Sequence, residues 1–325
     1  MSYIPLFTIT AEILNLVAEI SGQVGQLNTG AFNASPQLRK QNRIKTITGT
    51  LAIEGNMLSE EQITAIVEGK PVLGSVRELA EAKGAVAAYE GLVNFKADNM
   101  NDLLTAHGLM MEDILTGAGQ FRDDAVGIHK GGKVHHVAPP AHKVSGLMAD
   151  LLQWLRQAKD HPLITSCVFH YEFEFIHPFS DGNGRMGRLW QTLILSQWQP
   201  LFLSLPLESV IKDNQSSYYH ALEQADEQAD STPFIYFILG VIAKTLAQNA
   251  PAKTPVSAPV NIAGLKTPDA ILLLLQNNPQ LTRQQLADIM GKNLRTIGRA
   301  IRKLQQTNQL TRMGSDKTGH WEVKS

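Results

Sequence analysis

Cysteine is nearly missing from this chain: Cys167 is the only one in 325 residues. A disulfide framework is therefore excluded, and Cys167, set in an apolar helical run, reads as a small buried hydrophobe. No stretch reaches the roughly 18 apolar residues of a membrane span. A basic segment followed by an apolar run with a cleavage site is missing from the N-terminus, so cytoplasm is the expected compartment and a membrane is not an expected partner. Net charge is small as well, −1 at pH 7, but it is unevenly divided. Residues 262–325 carry 10 Lys+Arg against 4 Asp+Glu, while residues 1–261 carry 19 against 26. That asymmetry points to two parts with different partners. At 43% hydrophobic and 18% charged, the composition is that of a globular chain long enough for two or three domains.

What is present is concentrated in twelve residues, His177-Pro178-Phe179-Ser180-Asp181-Gly182-Asn183-Gly184-Arg185-Met186-Gly187-Arg188. They lie between two apolar helical runs, 164–176 and 189–198, and a core helix needs none of these polar groups. Pro178 disfavours helix at His177 and opens a loop. Gly182 and Gly184 let a ligand approach the main chain. The loop then enters a helix beginning near Arg185, whose first N–H groups and dipole favour an anion. Asn183 can donate from its side chain into the same place. Arg185 and Arg188, three apart, share a face and suit a di- or triphosphate. Asp181 makes sense in such a site if Mg²⁺ lies between it and the phosphates. His177 titrates near neutral pH and is the candidate general base.

The pattern His177-x-Phe179-x-Asp181-Gly-Asn183-Gly-Arg185-x-x-Arg188 resembles the signature of the Fic family at every defined position. The resemblance implies a mainly α fold with a small β-hairpin flap, and transfer of AMP from ATP to a Ser, Thr or Tyr hydroxyl of a protein, with pyrophosphate released. It implies that His177 deprotonates the acceptor, Asp181 holds Mg²⁺ (or Mn²⁺), and Gly182, Asn183, Gly184 and the loop amides hold the α-phosphate. Arg185 and Arg188 would clamp the outer phosphates, and Phe179 would anchor the loop in the core. Upstream, Thr50-Leu-Ala-Ile-Glu54-Gly55 resembles the family's inhibitory motif. From residues alone Glu54 is equally a solvated carboxylate at a helix end. The resemblance implies that it pairs with Arg188 and restrains activity.

Along the chain, apolar spacing predicts helices over 8–29, 36–56, 59–69, 76–95, 100–115, 143–158, 162–176, 213–229 and 233–249. Val126, Ile128, Val134 and Val137 around Gly131-Gly132 predict a short hairpin. By resemblance this is the flap, with Val126, Gly127, Ile128 and His129 holding a target segment by strand addition. His129, His135, His136 and His142 are too irregularly spaced for a dedicated zinc site. On the helix after residue 213, Tyr219 and Asp226 resemble the family's nucleobase pocket, although a core-packing face explains them nearly as well. Residues 250–263 have a Pro-rich linker composition. Beyond them, helices over 268–277, 281–291 and 293–306 and a hairpin over 310–323 look like a winged helix-turn-helix. Its third helix carries Arg295, Arg299, Arg302 and Lys303 for DNA, or serves protein docking or dimerisation.

The expected layout is an N-terminal helical region (1–95) with the inhibitory motif at 50–56, a Fic core (96–249), the linker and the winged helix (264–325). The expected activity is self-inhibited protein adenylylation, with self-modification and homodimer formation in view. The alternatives are a DNA-binding regulator that senses nucleotide, or transfer of another phosphate-bearing group.

Overall fold

The structure of the chain, a computed structural model, describes residues 3–28, 36–124, 127–130, 133–249, 262, 264–314 and 320–324. It divides into two compact units, Met1–Pro251 and Ala252–Ser325. Nearly all of the expected linker, 250–263, lies outside the described residues.

The first unit is helical apart from one hairpin. Its helices are α1 (Ala11–Asn28), α2 (Pro36–Ile53), α3 (Glu60–Val67), α4 (Val76–Gly91), α5 (Met100–Met111), α6 (Ala141–Gln157), α7 (Pro162–Ile176), α8 (Asn183–Trp198), α9 (Leu207–Asp213), α10 (Gln215–Gln228) and α11 (Thr232–Asn249). The sequence reading missed α9, which is only seven residues long and follows Pro206. A capping box, with Ser59 and Gln62 each bonding the other's backbone N–H, starts α3. Strands β1 (Gly127–Lys130) and β2 (Lys133–Val137) pair antiparallel, Ile128 facing His136 and His129 facing Val134. Val126 and residues 131–132, where the hairpin turn is expected, lie outside the described residues.

Two apolar clusters fill this unit, and α7 belongs to both. Leu163, Ile164, Cys167, Val168 and Tyr171 pack with α1 and α11. Phe169, Phe173 and Ile176 pack with α2, α4, α5 and α8. Each such buried side chain contributes about 1.5–3 kcal/mol, so α7 is gripped from both sides. Packing also crosses the boundary expected at residue 95: Ile44, Ile47 and Leu51 of α2 share a cluster with Phe173, Met186 and Leu189. Gly49 lets α2 meet the start of α9 closely, since a Cβ there would stand 2.6 Å from the Ser209 backbone nitrogen.

The second unit has helices α12 (Thr267–Asn277), α13 (Arg283–Met290) and α14 (Leu294–Gln306), and strands β3 (Leu310–Met313) and β4 (His320–Val323). The strands pair antiparallel, Leu310 opposite Val323; the connecting residues 315–319 lie outside the described set. Ile271, Leu275, Leu286, Ile297, Ile301 and Leu304 form its core with Trp321. The Trp321 indole N–H donates to the Leu281 carbonyl at 3.1 Å and seats the sheet on the helices. The Asn293 side chain accepts from the Thr296 N–H and caps α14. Arg295, Arg299, Arg302 and Lys303 are all exposed.

No described helix is long and apolar enough to cross a membrane.

Candidate active site

The site is built at the turn between α7 and α8. His177 ends α7 in the left-handed conformation, φ 50° and ψ 61°, its N–H bonded to the Phe173 carbonyl. A non-glycine residue held there costs about 1–3 kcal/mol, and neighbouring bonds hold it. The guanidinium of Arg122, only 4% exposed, donates to the carbonyls of His177 (2.7 Å), Ile176 (3.3 Å), Asp124 (2.8 Å) and Pro139 (2.6 Å). Its own N–H reaches the Pro178 carbonyl at 3.0 Å. Arg122 thus ties the turn at His177 to both flanks of the β1–β2 hairpin.

Two further groups close the loop. Phe179 is fully buried and stacks face to face on the His107 ring, centroids 3.6 Å apart. Gly119 N–H donates to His107 Nδ1 at 2.9 Å, so the proton resides on Nε2, which donates to the Asp181 carbonyl at 3.0 Å. Burial lowers the His107 pKa to about 4, so the ring is neutral. The Asn183 side chain is bonded to the loop itself: Oδ1 accepts from Phe179 N–H (2.9 Å) and Nδ2 donates one of its two N–H groups to the Phe179 carbonyl (2.7 Å). One side-chain amide satisfies both backbone groups of Phe179, which makes Asn183 a loop fastener. Gly182 precedes α8 at φ 86°, where a Cβ would also meet the Met111 sulfur at 2.8 Å.

Helix α8 therefore starts at Asn183 and turns two guanidinium groups inward, Arg185 and Arg188, each 2% exposed. Arg185 Nη2 lies 3.2 Å from Asp181 Oδ1, while its buried Nε and Nη1 have no hydrogen-bond partner among the described residues. Nη1 has Glu81 Oε1 3.9 Å away, an ion pair beyond hydrogen-bond reach, so two buried donors of this cation suit a bound anion. Asp181 keeps its side chain 42% exposed. One carboxylate beside phosphates is how Mg²⁺ is commonly held, so the donor set fits that ion; no cluster of three His, Cys, Asp or Glu ligands exists among the described residues.

Arg188 is already engaged. Its Nε donates to Thr50 Oγ1 (3.0 Å), and Nη2 meets the Thr50 carbonyl (3.3 Å) and Glu54 Oε1 (2.7 Å). Burial works against the Arg188 charge, but Glu54, with Tyr218 and Glu174, outweighs it and holds the pKa above its ordinary value. Glu54 reaches this spot because α2 stops there. Gly55 at φ 90° bonds back to Ala52 and Asn56 N–H to Leu51, a Schellman end. A carboxylate at a helix C-terminus opposes the dipole, and Arg188 supplies the compensating charge. The Glu54 oxygen would lie 2.6 Å from a Cβ at Gly184, so it sits directly over the start of α8.

The remaining expected residues are less uniformly placed. Tyr219 is half-buried on α10, with Gln215 Nε2 3.5 Å from its hydroxyl and also 2.8 Å from the Ile53 carbonyl at the end of α2. Asp226 lies seven residues, about 10 Å, further along α10 and accepts the Tyr171 hydroxyl at 2.9 Å. Gly127, Ile128 and His129 form β1 by backbone pairing. Sequence reasoning missed Arg122 and His107, which hold the loop. A buried-face histidine in α5 and an arginine following Phe121 were the only local signals.

Residues 98–195 match the Fic/DOC family, and residues 270–311 match a winged helix-turn-helix DNA-binding family. A protein adenylyltransferase Fic of Aedes aegypti is 31% identical over 74% of this chain and 48% of its own length; that of Culex quinquefasciatus is 32% identical over 68% and 44%. The chain spans about half the length of these curated relatives. A C. elegans Fic-1 structure, 24% identical with a TM-score of 0.63 over 74% of this chain and 72% of its own, shares the fold. The crystal structure of a Fic family protein from Desulfovibrio desulfuricans G20 is 41% identical with a TM-score of 0.75, covering 99% of both chains. With that likeness running end to end, this chain belongs to the Fic family.

Proposed function

We propose that the chain is a self-restrained protein adenylyltransferase that moves AMP from ATP to a Ser, Thr or Tyr hydroxyl of a protein. The observation that carries the reading is the pair of buried arginines at the start of α8, one with orphaned donors and the other capped by Glu54. His177 accepts the proton of the incoming hydroxyl, whose oxygen bonds to the α-phosphorus as the bond to pyrophosphate breaks. Arg185 and the first N–H groups of α8 stabilise charge on the phosphates. Mg²⁺, held by Asp181, would neutralise charge across them. Glu54 occupies the Arg188 fork that an outer phosphate requires, so resting activity is low. The curated relatives named protein adenylyltransferase support the same chemistry. Tyr219, beside the end of α2, is the proposed base-stacking residue, and β1 the proposed target-holding strand.

Labelled ATP incubated with wild type, Glu54→Gly and His177→Ala tests this. Label should enter protein, the chain itself included, fastest with Glu54→Gly and not at all with His177→Ala. Equal labelling by all three would refute it. A second reading, DNA binding by the winged helix, rests on the four exposed cations of α14. It requires duplex affinity that falls steeply with salt.

A further inference from the structure

Asp181 and Arg185 do not stand alone at the mouth of the site. With two residues of α4 they close a ring of alternating charge. Glu81 Oε1 meets Arg77 Nε at 3.1 Å, and Arg77 Nη2 meets Asp181 Oδ2 at 3.3 Å. Asp181 Oδ1 meets Arg185 Nη2 at 3.2 Å, and Arg185 Nη1 returns to Glu81 Oε1 at 3.9 Å. Members of the ring differ sharply in freedom. Arg185 is sealed and the Glu81 side chain is only 10% exposed, whereas that of Arg77 is 69% exposed. Glu81 is further fixed by Asn56, whose Nδ2 donates to its other oxygen at 2.9 Å. Arg77 is thus an arm tethered at Nε, with its tip on the outward oxygen of Asp181. The inward oxygen, Oδ1, takes the Gly182 N–H at 2.6 Å and Arg185. A hard cation shared between Asp181 and a phosphate needs a carboxylate oxygen directed away from the loop amides. Oδ2 is that oxygen, and Arg77 covers it.

We propose that Arg77 is a positioning residue that stands in for the divalent cation on Asp181 and must be displaced when the metal arrives with the nucleotide. The proposal rests on the nucleotide-site reading above. It has a physical motive: without the metal, Asp181 and Glu81 would face one guanidinium between them, and Arg77 supplies the second positive charge. The exchange costs little because an exposed ion pair is weak, and it is sensitive to salt for the same reason.

The experiment measures Mn²⁺ binding by electron paramagnetic resonance on the full chain saturated with α,β-methylene-ATP, which cannot be cleaved at the reacting bond. Wild type, Arg77→Met, Arg77→Lys and Asp181→Asn are compared at low and high salt. Arg77→Met, which keeps the stem and removes the charge, should bind Mn²⁺ about two- to fivefold more tightly at low salt, with the gain shrinking as salt rises. Arg77→Lys, which keeps the charge but has one nitrogen for the two carboxylates, should fall between wild type and Arg77→Met. A structural role alone would lower affinity or leave it unchanged, and either result in Arg77→Met overturns the proposal. Asp181→Asn separates the two levels of the argument. If it loses protein-bound Mn²⁺ while Arg77→Met matches wild type, only the stand-in role fails. If Asp181→Asn binds Mn²⁺ as wild type does, the metal assignment and the stand-in role fall together.

Discussion

Replacing Glu54 by Gly should make the resting protein less stable and its nucleotide complex tighter, by linked amounts. The Glu54–Arg188 pair joins a side chain 1% exposed to one 34% exposed. An exposed pair contributes about 0–1 kcal/mol, and breaking a fully buried one costs about 3–5 kcal/mol. This pair lies between those limits, and Thr50 keeps two contacts to Arg188 after the change. A loss of about 1–3 kcal/mol follows, which lowers the unfolding midpoint of a unit this size by roughly 2–10 °C. If Glu54 and the γ-phosphate compete for the same fork, that energy returns on binding. The affinity for α,β-methylene-ATP should then rise about 5- to 150-fold in Glu54→Gly. The corresponding diphosphate, lacking the outer phosphate, should gain much less. Calorimetric unfolding of the ligand-free proteins and isothermal titration of both nucleotides provide the two sides of the cycle. A variant as stable as wild type that shows equal gains for di- and triphosphate would refute the competition.

Four other outcomes are expected. His107 is neutral in the fold, with its pKa lowered to about 4 from 6.5, so between those values the unfolded chain binds the extra proton and stability falls with falling pH, by about 3 kcal/mol in total; urea titrations of His107→Gln should show a shallower decline than wild type over pH 6.5–4. Arg122→Lys should leave carbonyls of the turn at His177 without donors, costing about 2–3 kcal/mol by chemical denaturation and, if His177 is the base, lowering kcat even where the chain remains folded. Gly182→Ala forces a side chain into φ 86° and onto Met111; a loss of at least about 1–2 kcal/mol in urea unfolding should result. On duplex DNA, removing Arg295 and Arg299 together should reduce the slope of log affinity against log salt by about 2 if both contact phosphates, as read by fluorescence anisotropy.

The helices and the chemistry-bearing turn were legible because both are written locally. Apolar spacing marks α7 and α8, Pro178 marks the break, and Gly55 marks the end of α2. What escaped depends on partners far apart in sequence. Arg122 acts 55 residues from His177, and Arg77 lies 104 residues from Asp181; no local pattern says that either will meet the loop. His107 resembled one polar residue on an apolar face, and only its stack on Phe179 reveals what it fastens. Asn183 has a loop-holding task that its motif position does not announce: the tight turn leaves the backbone N–H and C=O of Phe179 needing an acceptor and a donor, and the nearest side-chain amide supplies both. Helix α9 shows the limit of periodicity, since seven residues give two turns and too few repeats to distinguish it from a coil.

The near-absence of cysteine has a practical side. Cys167 is wholly enclosed between α7 and its neighbours, and burial pushes its thiol up to about 12, so it resists alkylating dyes while the protein stays folded. Met57, three residues beyond Glu54, is 83% exposed. A thiol engineered at that position would take a fluorophore without background and would report whether the end of α2 leaves Arg188 when nucleotide is added.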